Sequence, residues 1–284
     1  MTTPKRLVLP APAKLNLFLH VTGRRADGYH ELESVFVPIT LADTVTLTRR
    51  EDGQIRLIDP PVGLTEENDL ACRAARALQL ATATKLGVDI HLSKVIPQGG
   101  GLGGGSSDAA TTLLGLNRLW SLEQTRDQLR AIAAKLGADV PFFVFGRPAF
   151  ASGVGERLLA VSLPLSHYVV AFPGVGVATA RVFTDPELIR NTPGAASGVF
   201  AVTSGQNDLQ PVAERLQPGI STLCDAFIQA GAKPRMTGSG ACVYAPSTDV
   251  ASAQAFATHL RGAGWQSWAV KSIADHPLIS FAHG

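Results

Sequence analysis

The sequence predicts an α+β protein with two domains. A chain of 284 residues is long enough for two domains of ordinary size. Segments with strand periodicity and segments with helix periodicity do not alternate regularly, which disfavours a doubly wound parallel sheet. The pattern of segments changes near residue 160, so we expect a first domain over residues 1–160 and a second over residues 161–284.

Composition narrows the class of protein. Hydrophobic residues make up 45% of the chain, enough for a sizeable core, and a formal net charge of +2 argues against a nucleic-acid partner. The three cysteines form no CxxC pair, and the histidines show no metal-ligand spacing. No secretory leader or apolar span is evident. We expect a cytoplasmic protein without a membrane partner, as a monomer or weak homodimer.

The first third of the chain is predicted to be mostly strands. The segment LNLFLHV over 15–21 alternates, with leucines on a buried face and Lys14 and Asn16 together on the other face. Asp27 and Gly28 form a turn dipeptide. Three further strands are predicted in ESVFVPITL, DTVTLTRR and EDGQIRLID.

Helices and a strand follow in the second third. Asn68 is predicted to cap a helix, with Asp69 near its positive end, and VDIHLSKVIP is predicted to be a strand. A helix is predicted in SSDAATTLLGLNRLW, capped by Ser106 or Ser107, and another in LEQTRDQLRAIAAKLG, closed by Gly137. The first of these two helices has apolar residues at helical spacing: Ala109, Leu113, Leu116 and Trp120.

The last third is predicted to contain more loops. SHYVVAFPGVGVAT is predicted to be a strand that ends in a Pro/Gly turn, and TPGAASGVFAVTSGQNDLQP a loop with helix signals on both sides. MTGSGACVYA combines strand and glycine signals. A final helix in ASAQAFATHLRGAG leads to a last strand in WQSWAVKSI.

The segment IPQGGGLGGGSSDAA over 96–110 is the strongest functional signal. It places six glycines in seven positions between a predicted strand and a predicted helix. Backbone N–H groups and a helix N-terminus at such a place can bind phosphate. The alternative interpretation is a tight structural turn or a flexible loop.

Two common nucleotide-binding folds do not match. Gly99, Gly101 and Gly104 satisfy G-x-G-x-x-G, but no second strand ending in an acidic residue follows; Glu123 lies between two helices. A P-loop would need Lys-Ser or Lys-Thr after the glycines, and neither is present.

The glycine run instead resembles the PxGxGLGxSS loop of the GHMP kinases. Further segments occur in the order of that family: PAKLNLFLHVTGRRADGYHELESVF, LGADVPFF, ASGVGE, PGVGVAT and RMTGSGACVYA. The N-terminal segment resembles that of the members which act on a cytidine diphosphate-linked methylerythritol. The resemblance covers nearly the full length and implies a two-domain GHMP kinase fold.

The resemblance implies ATP and Mg²⁺ as cofactors. ATP phosphates are expected at the glycine loop, where Ser106 and Ser107 would add hydroxyls toward phosphate or Mg²⁺, or simply cap the helix. No acidic residue clearly matches the metal-ligating glutamate of some relatives, so no protein carboxylate is assigned to the metal. The expected ATP-binding residues are Pro97, Gly99, Gly100, Gly101, Leu102, Gly103, Gly104, Gly105, Ser106, Ser107 and, less firmly placed, Asn68.

Asp139 and Lys14 are the expected catalytic pair. Asp139 lies in LGADVPFF among apolar residues, where a carboxylate needs a partner or a function. The resemblance implies that Asp139 is the general base and that Lys14 is its partner, which keeps the carboxylate ionised. The alternatives are a helix cap or structural ion pair for Asp139 and a solubilising role for Lys14.

The resemblance also implies a set of substrate-binding residues. Tyr29 and His30 of DGYH are expected to contact cytosine, and Phe183 to complete the stack, although an ordinary core position for Phe183 stays open. The glycines of TGSG are expected to pack near the phosphates, or to form a plain turn. The full expected set is Asn16, Tyr29, His30, Val154, Gly155, Thr179, Phe183, Gly238 and Gly240.

These expectations combine into one activity. We expect ATP-dependent phosphorylation of the 2-hydroxyl of a cytidine diphosphate-linked methylerythritol, a step of non-mevalonate isoprenoid precursor biosynthesis. The alternatives are another small-molecule kinase of the GHMP family and a catalytically silent nucleotide-binding module.

Overall fold

A computed structural model describes residues 4–194 and 205–283, so residues 195–204 of the loop predicted over 192–211 lie outside the described residues. The described chain forms two sheets. The first has six strands, β1 to β6, and its elements run from residue 6 to residue 160. The second has four strands and begins at residue 167.

The first sheet is built on a long antiparallel pair. Strand β1 (Arg6–Arg24) pairs with β2 (His30–Arg50), and β2 also pairs with β4 (Gly87–Ser93) and with β5 (Ala149–Ser152). The edge strands are β3 (Ile55–Ile58), parallel to β4, and β6 (Arg157–Ala160), antiparallel to β5. The two segments predicted as separate strands over residues 33–41 and 43–50 therefore form one strand.

Four helices accompany the first sheet. They are α1 (Leu70–Thr82), α2 (Gly104–Leu119), α3 (Arg126–Ala133) and the short α4 (Val140–Phe145). Their apolar faces and one face of the sheet form a core that includes all four residues predicted at helical spacing in α2: Ala109, Leu113, Leu116 and Trp120. The burial of these four residues is confirmed, but twelve of the sixteen residues of α2 are buried, so the helix is enclosed on most sides rather than along one stripe.

Several predicted helix ends are wrong. Asp69, not Asn68, caps α1, because the Asp69 carboxylate accepts the Cys72 N–H at 2.9 Å. Helix α2 begins inside the glycine run with Gly103 at its N-cap, so Ser106 and Ser107 do not cap it. Helix α3 ends at Ala133 rather than at Gly137, since the chain turns for several residues before the glycine.

The second sheet has the order β10–β7–β9–β8. Its strands are β7 (His167–Phe172), β8 (Arg235–Met236), β9 (Val243–Ser247) and β10 (Gln266–Lys271), all antiparallel. The helices of this half are α5 (Thr179–Thr184), α6 (Gln210–Leu216), α7 (Gly219–Gln229) and α8 (Val250–Gly262). A last short 3₁₀ helix covers Ile279–Phe281.

Strand β1 is buried on both faces. One core contains Leu15 and Leu17 of β1 together with Val169 and Tyr244 of the second sheet. The Tyr244 hydroxyl donates to the Asn16 carbonyl oxygen at 3.0 Å. The second half of the chain thus covers the predicted apolar face, and the prediction is incomplete because the opposite face, with Lys14 and Asn16, is buried as well.

Within residues 4–194 and 205–283, none of the helices has the length and apolar character needed to cross a membrane.

Candidate active site

A cavity of about 850 Å³ brings together most of the residues predicted from the sequence. It lies between the glycine run, the turn before β2, and the loop before β9. Its lining includes these predicted residues: Lys14, Asn16, Tyr29, His30, Pro97, Gly99, Gly100, Gly101, Leu102, Gly103, Gly104, Gly105, Ser106, Asp139, Val154, Thr179, Phe183, Gly238 and Gly240.

Three predicted residues do not line this cavity. The Asn68 side chain accepts the Thr65 N–H at 2.7 Å and so stabilises a local turn. Ser107 is fully buried, and its hydroxyl donates to the Pro12 carbonyl oxygen at 2.7 Å, which ties α2 to β1. Gly155 lies behind the wall, where an added Cβ would be 3.9 Å from the Phe36 ring.

Lys14 and Asp139 meet at the cavity wall. The Lys14 ammonium lies 3.6 Å from Asp139 Oδ2, and its side chain is 4% exposed, whereas that of Asp139 is 33% exposed. The ammonium also donates to Asn16 Oδ1 and lies 5.1 Å from the centre of the Phe36 ring. A nearly buried cation thus faces a carboxylate that remains accessible from the cavity.

Asn16 links this pair to both halves of the chain. Its amide nitrogen Nδ2 donates to Ser34 Oγ in β2 at 2.8 Å, and its backbone N–H donates to Thr237 Oγ1 at 2.9 Å. Thr237 belongs to the loop TGSG before β9. The hydrogen bonds restrict Asn16 to one orientation, and Asn16 in turn restricts the Lys14 ammonium.

Asp139 occupies the N-cap position of α4, but its side chain makes no capping hydrogen bond. The alternative of a helix cap therefore does not account for the carboxylate. Its helix is followed by Gly146 with a φ of +77°, and Phe142 and Phe143 of the same helix are buried in the core. Core packing of α4 consequently positions the backbone of Asp139, while its carboxylate stays open to the cavity.

The glycine run packs against the glycine-rich loop before β9. Ala241 N–H and Cys242 N–H donate to the carbonyl oxygens of Gly99 and Gly100 at 2.9 and 3.0 Å. A Cβ on Gly101, which has a φ of +74°, would lie 2.1 Å from the Thr237 carbonyl oxygen. Much of the glycine content therefore serves close backbone contact between loops, in addition to leaving the cavity open.

The end of the run is helical. Gly104, Gly105 and Ser106 form the first turn of α2, whose N–H groups have no acceptor within the helix. The Ser107 N–H already donates to the Gly103 carbonyl oxygen. Three consecutive backbone donors at the positive end of a 16-residue helix suit a phosphate group.

Lys94 is a cavity residue that the sequence prediction missed. Its ammonium donates to both Asp43 and Asp108, and Asp43 Oδ1 accepts the Val95 and Ile96 N–H groups. Burial alone would lower the pKa of Lys94, but the two carboxylates outweigh burial and the pKa of Lys94 is raised. This charge cluster braces the chain just before the glycine run. Only proximity to that run could have indicated it.

Asp108 is a buried member of the charge cluster. Burial raises the pKa of Asp108 to about 7, against the opposing effect of the Lys94 ammonium. Its Oδ1 atom has no hydrogen-bond partner among the described residues. The carboxylate therefore carries a high desolvation cost, which Lys94 offsets only in part.

The opposite end of the cavity is aromatic and polar. The His30 and Phe183 rings lie 5.2 Å apart and are tilted by 32°. Tyr29 is 65% exposed beside them, and the Thr179 and Ser239 hydroxyls lie 2.7 Å apart on the same wall. Phe183 is half-buried at this wall and also packs against the core, so both interpretations of this residue hold in part.

His30 has a further partner that sequence reasoning did not find. Arg190 Nε donates to His30 Nε2 at 3.0 Å, although the residues are 160 positions apart. Burial, then the positive charges of Arg190 and Arg24, hold the pKa of His30 below its ordinary value. No local signal in the segment around Arg190 indicates this contact.

The cavity contains ordinary oxygen donors but no preformed metal cluster. Within the part of the chain that the structure describes, no group of three or more His, Cys, Asp or Glu side chains is placed to hold a metal ion. A divalent cation at this wall would find side-chain oxygens on Ser106 and Asp139.

Comparison with known proteins identifies the class to which this fold and site belong. The model of the GHMP kinases N terminal domain matches residues 69–147, and the model of the GHMP kinases C terminal domain matches residues 191–264. Together these matches cover more than half of the chain.

Individual relatives narrow the class. The chain is 49% identical to 4-diphosphocytidyl-2-C-methyl-D-erythritol kinase of Cupriavidus taiwanensis, over 96% of this chain and 95% of that one. It is 50% identical to the kinase of the same name from Thiobacillus denitrificans, over 96% and 97% of the two chains. A crystal structure of 4-(cytidine 5'-diphospho)-2C-methyl-D-erythritol kinase superposes with a TM-score of 0.79 at 38% identity, covering 94% of this chain and 99% of the other. The chain belongs to the GHMP kinase family and, within it, to the 4-diphosphocytidyl-2-C-methyl-D-erythritol kinases.

Proposed function

We propose that this chain transfers the γ-phosphoryl group of ATP to the 2-hydroxyl of 4-diphosphocytidyl-2-C-methyl-D-erythritol. The products are ADP and the 2-phosphate, in a step of non-mevalonate isoprenoid precursor biosynthesis. Support comes from the family and from one observation above all: the Lys14–Asp139 pair at 3.6 Å lies on the wall of a cavity that also contains the glycine loop and the DGYH turn. An element suited to phosphate, a paired lysine and carboxylate, and an aromatic wall suited to a nucleobase thus line the same cavity.

Asp139 acts as the general base. Its carboxylate accepts the proton of the 2-hydroxyl as that oxygen attacks the γ-phosphorus in line with the departing ADP. The new oxygen–phosphorus bond forms as the bond to the β-γ bridging oxygen breaks, and ADP carries away that electron pair. No phosphorylated protein intermediate is involved.

Lys14 orients this base. Because its ammonium is nearly buried and is oriented by Asn16, the positive charge lies at a constant position beside the carboxylate. The charge holds the Asp139 carboxylate in place and also stabilises negative charge on the transferring phosphoryl group.

The glycine loop and the first turn of α2 bind the triphosphate. The N–H groups of Gly104, Gly105 and Ser106 have no acceptor within the helix. They lie at the positive end of the helix dipole, which attracts the negative phosphates. Bound Mg²⁺ would supply positive charge that neutralises the ATP phosphates. Mg²⁺ usually takes only one or two protein oxygens beside phosphates and waters, so the Ser106 hydroxyl would be a sufficient protein ligand, and Asp139 is left to act as the base.

The aromatic end of the cavity binds cytosine. Tyr29 and Phe183 provide π-faces for stacking, and His30 provides a polar ring atom for the edge of the base. A base held at this end positions the linked alcohol for Asp139, because substrate binding remote from the reacting atoms reduces the entropic cost of alignment.

Measurement of ADP release in a coupled assay tests the proposal. The alcohol panel contains the cytidylylated methylerythritol, homoserine, mevalonate and galactose, each with ATP and Mg²⁺. We expect turnover with the first alcohol only. Turnover with another alcohol instead would indicate a different GHMP kinase, and ATP binding without any turnover would indicate a catalytically silent nucleotide-binding module.

A further inference from the structure

Arg190 connects the two walls of the base-binding end. Its Nε donates to His30 Nε2 at 3.0 Å, and His30 is the first residue of β2. Its terminal nitrogens donate to the carbonyl oxygens of Leu188 at 2.9 Å and Phe183 at 3.2 Å, and also to that of Asp185. One guanidinium therefore contacts both walls. It donates to the backbone of Phe183, whose ring forms one aromatic wall, and to the His30 ring, which forms the other.

The contact with His30 determines which ring nitrogen is protonated. A guanidinium in a protein stays charged and can only donate hydrogen bonds. His30 Nε2 must therefore accept, so a neutral His30 carries its proton on Nδ1. Burial and two nearby arginines, Arg190 and Arg24, favour the neutral ring.

The remaining polar atom of the ring is then a donor. Cytosine presents an unprotonated N3 that accepts a hydrogen bond, whereas uracil presents a protonated N3 that donates one. An Nδ1–H group matches cytosine N3 and opposes the uracil N3–H. A ring free to change tautomer would accept either base, since Nδ1 could then also accept.

We propose that Arg190 is a positioning residue that holds His30 as the Nδ1–H tautomer and thereby makes the site select cytosine over uracil. The inference rests on the proposed function for its ligand, a cytidine diphosphate. The part that concerns the tautomer of His30 depends only on the protein. Arg190 touches neither ATP nor the reacting hydroxyl in this scheme, so its loss acts on the recognition of the base and leaves the chemistry of transfer in place.

Arg215 supplies a matched control. It pairs with Asp185 at 2.6 Å and with Glu187 at 2.8 Å, in the same segment that Arg190 holds. Its side chain is 43% exposed and makes no contact with His30 among the described interactions. A role of Arg190 in merely anchoring this segment would be reproduced by Arg215→Met, whereas a role in setting the tautomer would not.

The first measurement is the tautomer itself. In protein labelled with ¹⁵N-histidine, long-range proton–nitrogen spectra distinguish protonated from unprotonated ring nitrogens, and His30→Gln assigns the signal by its loss. We expect protonated Nδ1 in the wild type and in Arg215→Met, and a shift toward protonated Nε2 in Arg190→Met. The wild-type spectrum needs no variant, so protonated Nε2 there would overturn the inference even if Arg190→Met failed to fold.

The second measurement is base selection. Calorimetry compares the affinities of CDP and UDP for the wild type and both variants. We expect Arg190→Met to reduce the preference for CDP by about ten- to a hundredfold, because an unpaired buried donor or acceptor is what enforces such a preference. Arg215→Met should retain the wild-type ratio.

The two measurements separate the inference from the function beneath it. If the wild type prefers CDP and Arg190→Met retains the same ratio of CDP to UDP affinity, the inference is overturned and the proposed function stands. Failure of the wild type to bind CDP would overturn the proposed function and base selection together, while the tautomer measurement would still report whether Arg190 sets the ring.

Discussion

The two ends of the cavity are built differently. At the phosphate end, Lys14 and Asn16 are 3% and 1% exposed and are held by elements from both halves of the chain. At the end lined by His30 and Phe183, Tyr29 is 65% exposed, and Arg190 connects the two walls. The proposed function thus places the chemistry where packing is dense, and base recognition where a few polar contacts on loops hold the walls. Substitutions at the first end should change kcat or stability, and those at the second end should change KM and specificity.

The largest expected effect is that of Asp139→Asn. We expect kcat to fall by about 10²–10⁴-fold, the usual contribution of a general base, with the affinity for CDP retained. The fold should persist, because the Asp139 side chain does not cap α4. Steady-state kinetics and CDP calorimetry provide the measurement. The control is Asp127→Asn, an exposed side chain on α3, which should retain wild-type kcat. Normal turnover in Asp139→Asn would exclude the general-base role.

Next in size is the contrast between two glycines of the same run. An alanine Cβ at Gly101 would clash with the Thr237 carbonyl oxygen at 2.1 Å, in a left-handed conformation, so Gly101→Ala should lose about 2–4 kcal/mol of unfolding free energy. At Gly105 the nearest atom is 3.6 Å away, and an alanine in α2 should gain up to about 0.5–1 kcal/mol. Denaturant unfolding compares the two. Equal destabilisation by both would show that packing between loops is not what requires Gly101.

Phe183→Ala should affect the base end alone. Loss of a stacking face costs about 1–3 kcal/mol, so we expect KM for the cytidylylated substrate to rise by about ten- to a hundredfold with kcat little changed. Phe145→Ala is the control, since Phe145 contacts Arg130 and is not part of the cavity lining. A fall in kcat with unchanged KM would contradict the division of the cavity into two ends.

The smallest effect concerns the C-terminal segment behind α4. His276 donates its N–H to the Gly146 carbonyl oxygen, and burial, then Arg126, lowers the pKa of His276 to about 4. Below its ordinary pKa of 6.5, the unfolded chain binds the proton more readily than the folded one, so stability is lost as pH falls from 6.5 toward 4.

Between pH 7 and pH 5.5 this histidine should account for about 1 kcal/mol of lost stability. Unfolding in denaturant at the two values, in the wild type and in His276→Gln, isolates that contribution. An identical pH dependence in both proteins would show that His276 does not titrate in the expected range.

Local sequence patterns predicted much of the fold. The buried apolar residues of α2, the strand preceding the glycine run and the final helix and strand all follow from periodicity over a dozen residues. Helix ends were less predictable, because a cap depends on one hydrogen bond that neighbouring side chains can each make. Asp69 rather than Asn68 makes it at α1, and Gly103 rather than a serine begins α2.

The residues of the candidate site also fall into two groups: those that a contiguous sequence motif indicates and those that only the folded chain reveals. The glycine loop and DGYH are contiguous, so their residue types could be interpreted without a fold. Lys94 and Arg190 could not be found in this way, because each acts through a partner from another part of the chain. The reason that Ser107 leaves the cavity is also tertiary: its hydroxyl donates to the Pro12 carbonyl oxygen.

By itself the sequence determined the α+β class, the position of the glycine loop before a helix and, through family resemblance, the candidates Lys14 and Asp139. Tertiary structure alone decided that these two charges lie 3.6 Å apart, that β1 is buried on both faces, and that Arg190 holds His30. The physical reason is range: periodicity and backbone preference act over a few residues, whereas an ion pair or a covered sheet face needs distant segments that only the packed core brings together.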